Sequence, residues 1–168
     1  MRLLECDLEI EDLDSFVADL GEIGDRHGTT VQAFDARYVV GPRHLERAVE
    51  FADRAIERGE NVARDRAVEI LLYAAGRRQI DRALEMGVGE GEGRAVVLLD
   101  GGDEAAALEG LESNPAFATV ETFTGGDDAG DEETLEAFFE ITDAERATTD
   151  ADLEDLVCER VALLEVEK

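Results

Sequence analysis

Along the chain the spacing of apolar positions changes several times, and each change marks an element. Residues 2–10 alternate loosely between apolar and polar and read as a strand. Leu13, Phe16, Val17 and Leu20 recur at helical spacing, which predicts a helix over 12–26 ended by Gly28. Residues 30–40 hold Val31, Ala33, Phe34, Tyr38, Val39 and Val40, the pattern of one or two strands. Gly41-Pro42 opens a helix that runs to Glu57 or Arg58 and is stopped by Gly59. A second helix is predicted over about 64–75 with Gly76 as its stop, and a third over about 78–86, ending at Gly87.

The second half is more broken. Residues 94–99 form a short apolar run and a buried strand; 104–112 read as a short helix and 117–123 as a strand. Residues 125–133 are rich in Gly, Asp and Glu and read as an acidic flexible loop, followed by a helix over 133–140. The last helix is predicted over about 150–164, opened by a capping box of Thr149 and Asp152, with one apolar stripe of Leu153, Leu156, Val157, Val161 and Leu164. No internal repeat and no long linker divides the chain, so 1–168 is expected to be a single domain. Strands at both ends with helices clustered between them predict an α+β fold, a small mixed or antiparallel sheet packed with several helices.

Charge changes the picture. The chain carries 43 acidic residues against 16 basic ones, a net charge of −27, yet 44% of it is hydrophobic. It is therefore a folding chain with a heavily carboxylated surface. Such a surface repels itself in dilute buffer; at ~1 M salt the Debye length falls to ~3 Å and the repulsion is screened. A salt-rich cytoplasm and a halophilic source are the expectation, with loss of structure on desalting.

Chemistry is sparse. Cys6 and Cys158 sit in apolar, periodic segments and read as inert core thiols rather than a disulfide framework. No run of about 18 apolar residues is present, and the first residues lack a long apolar signal core, so a cytoplasmic protein is expected. Gly87, Gly89, Gly91 and Gly93 alternate with Glu90 and Glu92; glutamates would repel phosphate, and the stretch reads as a flexible connection. Asp127, Asp128, Asp131, Glu132 and Glu133 lack calcium-loop spacing. No metal, no cofactor and no catalysis are expected.

One segment departs from the acidic pattern. Residues 37–82 hold ten arginines (Arg37, Arg43, Arg47, Arg54, Arg58, Arg64, Arg66, Arg77, Arg78 and Arg82) against eight carboxylates, a balance of +2. On a wheel of about 100° per residue, Arg43, Arg47, Arg54 and Arg58 share one side of their helix. That stripe is either a salt-bridged solvent face, as the Glu50 spacing allows, or a binding face. Residues 67–75 are apolar nearly all round and predict a buried helix delivering Gly76-Arg77-Arg78-Gln79 from the core. Arginines at the start of the next helix oppose its dipole unless they pair with nearby carboxylates or bind an anion. Arg43-His44 repeats the pattern at the earlier helix start.

These residues carry a resemblance. Arg37 to Leu45 with Ala48, and Glu69 to Ile80 with Ala83 and Gly87-Val88, resemble the core of the p53-related-protein-kinase-binding (TPRKB-like) small regulatory subunit of the KEOPS complex. Phe139 to Thr142 and Arg160 to Leu164 are similar too. The resemblance implies a non-catalytic subunit that binds and supports a small atypical kinase/ATPase subunit. It also implies help in recruiting tRNA by its 3′ end, for N6-threonylcarbamoyladenosine formation at position 37. The tRNA-facing residues are then Arg77, Arg78, Gln79, Arg43, His44, Arg37 and Arg82. The last helix carries more apolar residues than one stripe buries, so Leu163 and Val166, with Val161 and Leu164, are the expected kinase interface. Neither DNA nor membrane is an expected partner. Two alternatives stand beside this reading: a purely structural kinase-binding adaptor, and a small-ligand α/β domain using Asp100-Gly101-Gly102-Asp103.

Overall fold

A computed structural model describes residues 1–126 and 129–167. The architecture is α+β, with a four-stranded antiparallel sheet and, among the described residues, eight α-helices. The chain divides into two compact units, Met1–Ala36 with Gly87–Thr124 and Arg37–Met86 with Gly125–Lys168.

The first unit holds β1 (Arg2–Ile10), α1 (Leu13–His27), β2 (Thr30–Asp35), β3 (Gly91–Asp100), α5 (Glu104–Glu112) and β4 (Phe117–Thr122). Its sheet order is β2-β3-β1-β4, every neighbour antiparallel. Alternation puts Leu4, Cys6, Leu8 and Ile10 of β1 on one face with Ala33, Val97 and Leu99. That face packs on Phe16 and Leu20 of α1 and on Ala107 and Leu111 of α5. Each fully buried leucine or phenylalanine contributes roughly 1.5–3 kcal/mol. Leu3, Phe34, Val96 and Leu98, at the alternate positions, are buried as well. Burial on both faces explains the unbroken run Ala95–Leu99.

β3 is longer than its apolar run. Gly91 and Gly93 pair with Ile10 and Leu8 across the ladder, so this part of the expected flexible connection is strand. Glycine weakens a strand on its own; here the partner strand extends past the apolar part of β3 and supplies the pairing.

The second unit holds α2 (Pro42–Glu57), α3 (Arg66–Ala75), α4 (Ile80–Ala83), α6 (Glu132–Phe138), α7 (Asp143–Ala147) and α8 (Leu153–Glu167). Every residue of α3 from Glu69 to Ala75 is buried, as its all-round apolar pattern predicts. α3 packs on both α2 and α8. Glu69, the one acid in that stretch, accepts from the Val62 and Ala63 N–H groups at 3.0 Å each and pins the α2–α3 loop.

The expected strand over 30–40 ends at Asp35, and a 3-10 turn takes Ala36–Tyr38. The expected helix over 78–86 is the single turn α4 followed by a 3-10 turn, Leu84–Met86. The acidic segment is shorter than expected as a loop: Asp131 accepts from the Thr134 N–H and opens α6 at Glu132. The Asp127-Asp128 pair lies outside the described residues. α8 is opened three residues later than expected. Its reciprocal box is Asp152 with Asp155, each carboxylate accepting from the other's N–H at 2.8 and 3.2 Å, rather than Thr149 with Asp152.

Candidate functional site

The arginine stripe of α2 is a seam between helices. Arg43 pairs with Asp155 and reaches Glu154 at 3.8 Å. Arg54 and Arg58 both reach Glu165, at 3.3 and 3.4 Å. The first arginine meets the start of α8 and the last two meet its end, so α2 and α8 run side by side in the same direction. Arg47 pairs with Glu50 at 3.2 Å. Of the two readings of this stripe, the salt-bridged face is the one the geometry supports. Arg43, expected on the tRNA side, is committed to α8.

His44 is not a surface residue. It is fully buried, accepts from the Val40 N–H at Nδ1 and lies with Nε2 2.7 Å from the Ala74 carbonyl oxygen. Nδ1 accepts and Nε2 donates, so the ring is neutral, and burial pushes its pKa down to about 4. Its expected place among RNA-contacting residues is corrected: it bolts α2 to α3. Cys6 is buried, and burial pushes its thiol up to about 12. Cys158 is only half-buried and lies beside the Arg43 guanidinium, so it is not a core thiol.

The turn after α3 is built differently from its expected form. Gly76 takes φ 62°, the Gly76 N–H bonds to Tyr73 O, and the Arg77 N–H bonds to Leu72 O, each at 3.0 Å. This double closure needs a left-handed residue, and a Cβ at Gly76 would sit 3.2 Å from the Arg160 carbonyl oxygen. Beyond it, Arg77 folds inward. Its guanidinium donates to the Phe138 carbonyl and lies 4.6 Å over the Phe138 ring. α4 is a single turn, with Gln79 as N-cap and no side-chain cap. The paired helix-start arginines of the sequence reading therefore have no helix dipole of consequence to oppose. Arg77 is a half-buried bracket, and only Arg78 is exposed.

Phe138 closes α6, and its carbonyl is one of three in a row taken by arginines. Arg160 donates from Nε to the Phe139 carbonyl at 3.1 Å and from a terminal nitrogen to the Glu140 carbonyl at 3.3 Å. Glu145 holds Arg160 from the other side at 2.6 Å. Phe138 also stacks on Tyr38, centroids 5.2 Å apart and planes 9° apart. Arg37 lies 5.6 Å from the Tyr38 ring.

What remains outward on this turn is a mixed ridge. Arg78, Gln79 and Arg82 are exposed, and so are Ile80 (43%) and Leu84 (57%), four residues apart on successive turns. Ala83 and Met86 face the core instead. Arg82, and Arg64 on the α2–α3 loop, have no ion pair among the described residues. Apolar side chains flanked by guanidiniums offer surfaces for base faces and phosphates together. Ile80 and Leu84 were missed by the sequence reading; the signal was there, since Ile80, Ala83, Leu84 and Met86 are more apolar positions than one short turn can bury.

On α8 the expected interface splits in two. Val161 and Leu164 are buried in the core, while Leu163 (42%) and Val166 (81%) point outward. The loop Asp100–Asp103 is a structural joint: Asp103 caps α5 through the Ala106 N–H, and Glu104 accepts from the Gly101 N–H at 2.8 Å. No helix among the described residues is long and apolar enough to cross a membrane.

Comparison with known proteins adds one match. The family described as kinase binding protein CGI-121 matches residues 17–165, nearly the whole chain. No curated protein matches it.

Proposed function

The chain belongs to the CGI-121 family of kinase-binding proteins, and from that premise we propose that it is a non-catalytic subunit of the KEOPS complex. In this reading it binds and supports the small atypical kinase/ATPase subunit and helps recruit tRNA, by its 3′ end, for N6-threonylcarbamoyladenosine formation. The observation that carries the kinase half is the family match, which runs through both compact units. Leu163 and Val166 support α8 as the docking helix, because they are large apolar side chains left outside the core.

The tRNA half rests on the ridge Arg78, Gln79, Ile80, Arg82 and Leu84. It lies in the one segment without an acidic excess. Single-stranded RNA ends are bound by stacking on aromatic rings or guanidinium planes and by phosphate contacts; Arg78 and Arg82 offer the guanidiniums, and Ile80 and Leu84 add apolar contact. In a salt-rich cytoplasm long-range attraction is screened, so short bidentate guanidinium contacts carry the binding, consistent with fifteen arginines to one lysine.

The test is binding of tRNA, intact and trimmed of its 3′ end, by the chain with its kinase partner at ~1 M KCl, where the Debye length is ~3 Å. Intact tRNA should bind and trimmed tRNA should not. A kinase complex without tRNA affinity would leave the structural adaptor in its place.

A further inference from the structure

The segment from Arg77 to Met86 is fastened at both ends to one pair of stacked rings. At its start the Arg77 guanidinium lies on Phe138 and donates to the Phe138 carbonyl. At its end Glu85 accepts from the Tyr38 hydroxyl at 3.3 Å. Phe138 and Tyr38 are themselves stacked, so the two fastenings share a single aromatic layer. Between them lie the ridge residues Arg78, Gln79, Ile80, Arg82 and Leu84, with Asp81 exposed among them. Ala83, fully buried, anchors the middle, and Met86, fully buried as well, anchors the end.

We propose that Arg77, Tyr38 and Glu85 form a clasp that positions the ridge, and that none of the three contacts the bound RNA. The proposal rests on the tRNA reading above and changes the role of Arg77 within it. A one-turn helix with no side-chain cap does not hold its own shape: isolated helices need ~12–15 residues before they are even marginally stable. A loop of this size without the clasp would sample many conformations and lose entropy on binding. Fixing it in advance moves that cost from binding to folding. The orientation of Arg77 follows from the same geometry: it is half-buried, donates to the Phe138 carbonyl and lies on the Phe138 ring, folded inward from the exposed ridge.

Positioning and direct contact leave different signatures. Each phosphate contact contributes to the salt dependence of affinity, and losing one flattens the log–log slope by about one. Losing a positioning group lowers affinity at every salt concentration equally. The variants are Tyr38→Phe, which keeps the stack and drops the hydroxyl, Arg77→Ala, Arg77→Lys, Glu85→Gln and Arg82→Gln. Each is measured with the kinase partner for tRNA affinity across KCl, and alone for amide hydrogen exchange over residues 78–85.

Tyr38→Phe and Arg77→Ala should weaken tRNA binding about three- to tenfold with an unchanged slope, the scale of an ordering cost moved back to binding. Both should also speed amide exchange in 78–85. Glu85→Gln keeps an acceptor and should recover most of the affinity, whereas Arg77→Lys keeps a donor but not the planar stack on Phe138 and should recover only part of it. Arg82→Gln should flatten the slope and leave exchange alone. A flattened slope in Arg77→Ala would make Arg77 a direct phosphate ligand and overturn the assignment. Unchanged exchange in both Tyr38→Phe and Arg77→Ala would overturn the clasp itself. If wild type binds no tRNA, the tRNA reading falls, while the exchange measurement still decides whether the clasp exists.

Discussion

His44 Nε2 lies 2.7 Å from the carbonyl oxygen of Ala74, with the Val40 N–H directed at the opposite ring nitrogen. This pair joins the start of α2 to the end of α3 without any charge. Protonation would set an N–H on Nδ1 against the Val40 N–H. The folded pKa is about 4, below the ordinary 6.5, so the unfolded chain binds the extra proton first. Stability from this residue is complete above about pH 6.5 and is lost as pH falls toward 4, by up to about 3 kcal/mol. Denaturant titrations of wild type and His44→Gln between pH 4.5 and 7.5 should show a steeper acid loss in wild type. Parallel pH curves would contradict it.

Glu69 makes a second buried joint. Its carboxylate closes the α2–α3 loop on two N–H groups, so Glu69→Ala strands both donors and should cost roughly 2–4 kcal/mol. Glu69→Gln keeps the accepting oxygen and should cost less. Urea midpoints at high salt measure both; equal losses would mean the charge, not the acceptor, is what the loop needs.

α8 offers a separation of roles four positions wide. Leu163→Asp and Val166→Asp should weaken kinase binding about tenfold or more while leaving the thermal midpoint nearly unchanged, since both side chains are exposed. Leu164→Ala should do the reverse and cost about 2–5 kcal/mol of stability. Kinase titrations alongside thermal melts check this, and full affinity in both aspartate variants would move the interface elsewhere.

The surface charge has its own signature. With a net charge of −27, lowering KCl from ~1 M to ~0.1 M lengthens the Debye length from ~3 to ~10 Å and restores carboxylate repulsion. The helical circular dichroism signal should weaken and the melting temperature fall on desalting. An unchanged melt at low salt would refute the halophilic reading.

Much of the fold was legible because it is written in local periodicity. β1 and α5 begin and end where alternation and helical spacing put them. The buried character of α3 follows from its lack of a polar face. What escaped depends on partners far along the chain. Gly91 and Gly93 are strand only because β1 pairs with them. α7 is five residues of mostly polar sequence, held by the Thr142 cap and by Glu145 on Arg160. The site was legible as a segment but not residue by residue. A charge count finds Arg77 and Arg82 alike; only Phe138, 61 residues away, turns Arg77 inward. His44 likewise reads as a surface neighbour of Arg43 until Ala74, 30 residues on, closes over it.

The two surfaces are separated most directly by tRNA binding to one reconstituted complex of this chain and its kinase partner at ~1 M KCl, where only contacts within the ~3 Å Debye length remain effective. Arg78→Glu with Arg82→Glu, set against Leu163→Asp, divides the two surfaces. The double arginine variant should lose tRNA but keep the kinase, and Leu163→Asp should lose the kinase but keep the chain folded. Wild-type tRNA affinity in the double arginine variant would contradict this assignment.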